Sequence, residues 1–176
     1  MNKTQEKTRI AACRRILKSA KNYIALRLEF LQYANTVDSI QYVCDGYRIV
    51  AFKNPLPLEE RPDNVSLTFN FEDTLQRKTH DAVILNIPDK KTLKAYIKEE
   101  KQKAKETKCK SVPKYDFWEN LPMVNANYLL DMINIFPDGT FYADDLLTIF
   151  VEDHEGNRGK LLGLRKKDIN AEATKL

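Results

Sequence analysis

The sequence predicts an α+β domain in which one plan, a helix followed by antiparallel strands, is used twice. Three observations carry this. Apolar residues recur at helical spacing near both ends of the chain, as Ile10, Cys13, Ile16, Leu17 and Ala20, and as Tyr128, Leu129, Met132, Ile133 and Phe136. Strand-like segments follow each of these helices. Each set of strands contains a glycine turn, at Gly46 and at Gly156. Two such units can pair their sheets and put both helices on one face, which buries both apolar stripes.

Taken in order, the first helix is expected from about Thr8 to Tyr23, with Thr4 or Thr8 as its cap. Strands are expected over 25–33, 39–44 and 47–52, the last two joined by Asp45-Gly46. Asn54-Pro55-Leu56-Pro57 ends that meander, because proline cannot donate to a central ladder. Val65, Leu67, Phe69 and Phe71 alternate as a half-buried strand does, and 82–87 reads as a short apolar strand. A polar helix follows from Asp89 to about Lys105, anchored by Leu93, Tyr96 and Ile97. Its lysine-rich second half leads into a flexible connection over about 98–114. Next come a helix over 125–136, a break at Pro137-Asp138-Gly139, and strands over 140–143, 146–152 and 160–165. The chain therefore reads as one domain over 1–176, with repeats at about 8–88 and 89–168 and a tail over 169–176.

At 176 residues, 43% hydrophobic and 31% charged, the chain can build one real core and is not of disordered composition. No apolar run is long enough to span a membrane, and Met1 to Arg9 lacks the apolar stretch of a secretory signal. Cys13, Cys44 and Cys109 are odd in number and widely spaced, which fits a reducing, cytoplasmic setting and no zinc knuckle.

The net charge of +4 conceals an asymmetry. Residues 1–21 carry Lys3, Lys7, Arg9, Arg14, Arg15, Lys18 and Lys21 against Glu6 alone. Residues 90–110 carry nine lysines against Glu99, Glu100 and Glu106, so the remainder of the chain is net acidic. Positive charge gathered on two helices points to a polyanionic partner, the plainer reading being solvated helix faces. Lys7, Arg14, Lys18 and Lys21 share one face, beside the apolar stripe.

No catalytic constellation is legible. The chain has neither GxSxG, a phosphate-binding glycine loop nor HExxH, and only two histidines, His80 and His154. The carboxylates Asp144, Asp145, Glu152, Asp153 and Glu155 lack calcium-loop spacing and read as solvated turn residues. Tyr115, Phe117 and Trp118 read as anchors of a loop onto the core, with base stacking the sharper alternative. The expectation is a non-enzymatic protein with no metal and no cofactor.

Two motifs and a terminal hairpin carry a resemblance. Cys44-Asp45-Gly46-Tyr47-Arg48-Ile49 resembles the TDGHRL strand-turn-strand of the bacterial DNA polymerase III beta subunit, the sliding clamp. Val124-Asn125-Ala126-Asn127-Tyr128-Leu129-Leu130-Asp131 is similar to the FNAKYLLD start of that family's last helix, and 150–165 to its final hairpin. The family has three domains and closes into a ring. This chain has room for one domain, and Gly163 stands where the family has proline. The resemblance implies a DNA-clamp-like fold, of phage or mobile-element origin, that can self-associate as a homo-oligomer, six copies being needed for a ring. It implies contact with the duplex DNA backbone through Arg14, Arg15, Lys18 and Lys21. It also implies a pocket for replication-protein peptides at Tyr47, Arg48, Leu162, Leu164 and Arg165. The alternative is an accessory or decoy module of the same fold without DNA contact.

Overall fold

The computed structural model describes residues 2–20, 28–77, 82–108, 111–118, 121–145 and 147–164, the side chains of 144 and 145 excepted. Helix α1 spans Lys3–Ala20. Its start is fixed one turn earlier than expected, by Asn2. The Asn2 side chain accepts from the Gln5 N–H at 2.8 Å, and the Gln5 side chain accepts from the Asn2 N–H at 2.9 Å. This reciprocal box satisfies N–H groups that the first turn otherwise leaves open. Thr4 and Thr8 lie inside the helix, where Thr8 donates to the Thr4 carbonyl.

The strand expected over 25–33 is not formed in its described part, where Glu29–Gln32 makes a 3-10 turn. Phe30 and Leu31 are both buried there, which successive residues of a one-sided strand cannot achieve. Strands β1 (Asn35–Val37), β2 (Ile40–Cys44) and β3 (Arg48–Phe52) form a meander. Asp38 and Ser39, both at positive φ, make the first reversal. In the second, Gly46 sits at φ +84°, and the Asp45 carboxylate accepts from the Tyr47 and Arg48 N–H groups at 3.0 and 2.8 Å.

Val65 to Phe71 is not a strand. It lies across the sheet, and Phe71 opens a short helix, α2 (Phe71–Leu75), capped by Asn70. Strand β4 is reduced to Val83–Ile84. Helix α3 spans Lys90–Glu106, with Asp89 accepting from the N–H groups of Lys91 and Thr92. The first part of the presumed 98–114 connection is therefore helical. A small hairpin of β5 (Lys114–Asp116) and β6 (Met123–Asn125) leads into α4 (Ala126–Ile135), capped by Asn125. Strands β7 (Thr140–Asp145), β8 (Thr148–Glu152) and β9 (Arg158–Leu162) complete the fold.

Among the described residues seven strands form one sheet in the order β1-β2-β3-β9-β8-β7-β4, with every strand pair antiparallel. The two meanders meet at its centre, where β3 pairs with β9. Helix α1 precedes the first meander, α4 precedes the second, and the two pack together, with α3 against α4. Alternate strand residues serve two cores. Val43, Val50, Phe52, Val151 and Leu161 join Cys13, Ile16, Leu129, Met132 and Phe136 under the helices. Tyr42, Cys44, Ile49 and Ala51 pack with Phe30, Leu31, Val65, Phe71 and Leu75 on the other side. A Cβ on Gly159 would stand 2.7 Å from Met132 Cε and 2.8 Å from Phe136 Cε2, so α4 rests directly on β9. No helix among the described residues is long and apolar enough to cross a membrane.

Candidate functional site

The described cations of α1 divide into three groups. Lys3, Lys7, Arg14 and Lys18 follow spacings of four, seven and four, so they share one helical face, and all four are exposed. At 1.5 Å per residue this stripe is about 22 Å long. None of the four makes an ion pair within the described residues. Lys21 lies outside the described residues.

Arg9 is different. It lies four residues before Cys13 and seven before Ile16, on the apolar stripe, and it is buried. Its Nε donates to the Ile135 carbonyl at 2.7 Å, and its terminal nitrogens reach Asp153 at 3.2 Å and Glu155 at 3.5 Å. A cation at the carboxyl end of α4 also suits the helix dipole. Arg9 thus ties α1 to α4 and to the β8–β9 turn. Asp153, expected as a solvated turn carboxylate, has a side chain only 2% exposed.

Arg15 is half-exposed and paired. Its Nη2 and Nε lie 2.6 and 2.7 Å from Asp131 Oδ1. The other oxygen of Asp131 receives Arg48 Nη1 at 2.6 Å. Arg48 also binds Asp45 through Nη2 at 2.6 Å and Nε at 3.1 Å, and its guanidinium carbon stands 3.9 Å from the centre of the Tyr128 ring. Two carboxylates and two guanidinium groups therefore alternate across β3, α4 and α1. Each buried charge has opposite charge at hydrogen-bond distance, the condition for its burial.

The outer end of this network, Arg15 and Asp131, lines a groove of about 590 Å³ between the helices. Lys7 and Arg15 line it from α1, Lys94 from α3, and Asn127, Asp131 and Asn134 from α4. By helical spacing Lys98, Lys101 and Lys105 share the face of Lys94. The lysines of α3 were legible as a charge run. That one of them joins α1 in a common groove depends on the packing of α3 on α4.

The residues assigned to a peptide pocket separate. Arg48 is 2% exposed and belongs to the ion network. Tyr47 and Leu162 are neighbours, the Leu162 N–H donating to the Tyr47 carbonyl at 2.8 Å, and they are 44% and 42% exposed. Leu164 is half-buried and bonded to the Met123 carbonyl. Arg165 lies outside the described residues. Tyr115 and Phe117 pack edge-to-face, Tyr115 meets Tyr96 of α3, and Phe117 is buried, while Trp118 is exposed.

Burial pushes the Cys13 thiol, beside the network, up to about 12. The Cys44 thiol, next to Asp45, is pushed up to about 12 for the same reason. Neither is poised as a nucleophile at neutral pH. Among the described residues no group of three or more His, Cys, Asp or Glu side chains is arranged to hold a metal ion. Comparison of the chain with protein-family models, with characterised proteins and with solved structures finds no match in any of the three.

Proposed function

We infer that this chain is a non-enzymatic, sliding-clamp-like protein of the cytosol whose helical face associates with the phosphate backbone of duplex DNA. The observation that carries the reading is the row of exposed cations, Lys3, Lys7, Arg14 and Lys18, along α1, one of which, Lys7, lines the groove that Lys94 of α3 also lines. Long cations on regular helices bind phosphates by charge and leave base edges unread. The mirrored strand order about the β3–β9 pair supports a domain of two similar halves. The family resemblance rests on the three sequence motifs.

The test is binding to short duplexes of unrelated sequence over a range of salt. The reading expects equal affinities for the sequences and a linear fall of log affinity with log salt. R14Q/K18Q should shrink the slope by up to about 1.8, since each phosphate no longer neutralised takes about 0.9 from it. A slope unchanged in that variant rejects the DNA reading of this face. Light scattering then separates a closed ring, which needs several copies of a one-domain chain, from a monomer.

A second reading, a protein-interaction module of the same fold, is favoured by Tyr47, Leu147 and Leu162, each more than two-fifths exposed around one end of the β3–β9–β8 strands. Retention of a protein partner after nuclease treatment, abolished in Y47A/L162S, supports it. Retention unaffected by those changes rejects it.

A further inference from the structure

The groove contains its own anion. Asp131 sits among Lys7, Arg15 and Lys94, and its Oδ1 is bound by Arg15 at 2.6 Å. Its Oδ2 is held separately by Arg48, at 2.6 Å. Arg48 is immobilised in turn by Asp45 and lies over the Tyr128 ring. The carboxylate is therefore fixed from behind, by groups that are almost wholly buried. Its other partner, Arg15, is on a helix surface with half its side chain in solvent. Only one of the two arginines can leave without unravelling the interior.

We propose that Asp131 is a resident competitor for the groove: it occupies Arg15 in the free protein, and a DNA phosphate must take the guanidinium from it. This rests on the reading of the helical face as a DNA contact and adds the residue that sets its affinity. A guanidinium presents five N–H donors in a planar fork. Asp131 engages Nε and Nη2, both through one oxygen, and among the described residues Nη1 of Arg15 makes no hydrogen bond. A phosphate entering beside Lys7 and Lys94 can meet Nη1 first and then exchange with the carboxylate. Until that exchange, Asp131 cancels one of the groove's cations and repels the incoming charge. The arrangement weakens non-specific binding, which a protein that must move along DNA requires.

Asp131→Asn isolates the role, because the amide keeps the shape and its oxygen still accepts from one arginine. Wild type, D131N, R15Q/D131N and D63N are titrated with a short duplex over a range of salt, and each is checked for cooperative melting. Asp63 is exposed near Val65, over the opposite face of the sheet, and controls for the change in net charge. The expected result is binding about threefold to tenfold tighter in D131N with a steeper salt dependence, no gain in R15Q/D131N, and no change in D63N. A D131N protein that melts cooperatively and binds as wild type does overturns the role of Asp131 alone. An equal gain in D63N, or a gain that persists in R15Q/D131N, also overturns it. Failure of wild type and D131N alike to bind duplex overturns the DNA reading itself. If D131N does not fold, R15Q in the wild-type background decides. An Arg15 already engaged by Asp131 contributes less than a free cation, so R15Q should cost less affinity than R14Q or K18Q. A loss as large as theirs overturns the proposal.

Discussion

Arg48 and Asp131 stand 83 residues apart in the chain and 2.6 Å apart in the fold. The bond joins the Asp45-Gly46-Tyr47-Arg48 turn to the Tyr128–Asp131 turn of α4, with Tyr128 stacked under the same guanidinium. Two short motifs that are commonplace alone are thereby halves of one buried structure. Its outer end, Arg15, is the point at which interior charge balance meets the exposed face of α1.

Removal of Arg48 should be among the costliest single changes. Arg48→Met leaves Asp45, fully buried, with no counter-charge among the described residues, and leaves Asp131 with Arg15 there. Breaking a buried pair from one side costs about 3–5 kcal/mol. Urea denaturation measures it. A loss under about 1 kcal/mol would show that the carboxylates do not depend on Arg48. Arg48→Lys should also lose stability, because an ammonium is not a planar fork spanning both carboxylates.

Gly159→Ala tests how closely α4 rests on the sheet. The new methyl would fall within 3 Å of Met132 Cε and of the Phe136 ring. Met132 is flexible, but the Phe136 ring is fully buried and cannot turn away freely. The expected cost is about 1–3 kcal/mol, the usual range for overpacking. A second change, Phe136→Leu, should recover part of it. Strictly additive losses in the double variant would place the strain elsewhere.

Stability should fall at both ends of the pH range, for different reasons. The Cys13 and Cys44 thiols are pushed by burial from 9.0 to about 12. Burial, reinforced by its hydrogen bond to Glu72, pushes the Tyr42 hydroxyl from 10.0 to about 12. Each folded value lies above the ordinary one. The stabilisation is complete below pH 9 for the thiols and below 10 for Tyr42, and is lost as pH rises towards 12. Glu72 runs the other way. Hydrogen bonds from Arg158, then from Tyr42, hold its carboxyl below 4.5 against the opposing effect of burial. Its contribution is present above 4.5 and is lost as pH falls through the lower folded value. Melting temperature against pH should show both declines. Near neutral pH, alkylation followed by mass spectrometry should spare Cys13 and Cys44 in buffer and modify both in urea. Rapid modification in buffer would contradict their burial.

The helices were the most legible part of the fold. Leu93 and Ile97, and Leu129, Met132 and Ile133, recur at helical spacing, and that spacing survives folding because each helix buries one face. The β2–β3 reversal was legible because Asp-Gly has a local conformational reason to turn. Val65, Leu67, Phe69 and Phe71 misled because alternation records only which side of a segment is covered. Here the segment lies over the second core instead of within the sheet, and Phe69 remains 39% exposed. The exposure of Arg14 and Lys18 on one face of α1 was legible because a position on a helix face is a local property. Arg9 could have been recognised as internal from its place on the apolar stripe. Arg48 could not, since it stands on β3 and its second counter-charge, Asp131, is on α4, 83 residues away in the chain. For the same reason the sequence offers no sign that Asp131 and Arg15 share a groove.

The β3–β9 pairing also constrains how the protein is made. The strands that meet at the centre of the sheet are separated by more than a hundred residues. At the usual pace of translation, roughly 5–20 residues per second, β3 waits about 5–20 s for its partner. During that interval the inner edge of the first meander, β3 with Ile49 and Val50, is without its strand partner, although α4, which carries Asp131 for Arg48, is synthesised before β9. The central pairing of the sheet therefore cannot form until the second half has been synthesised. The nascent chain carries an open sheet edge until its final hairpin arrives, and this is the stage at which a chaperone has most to protect.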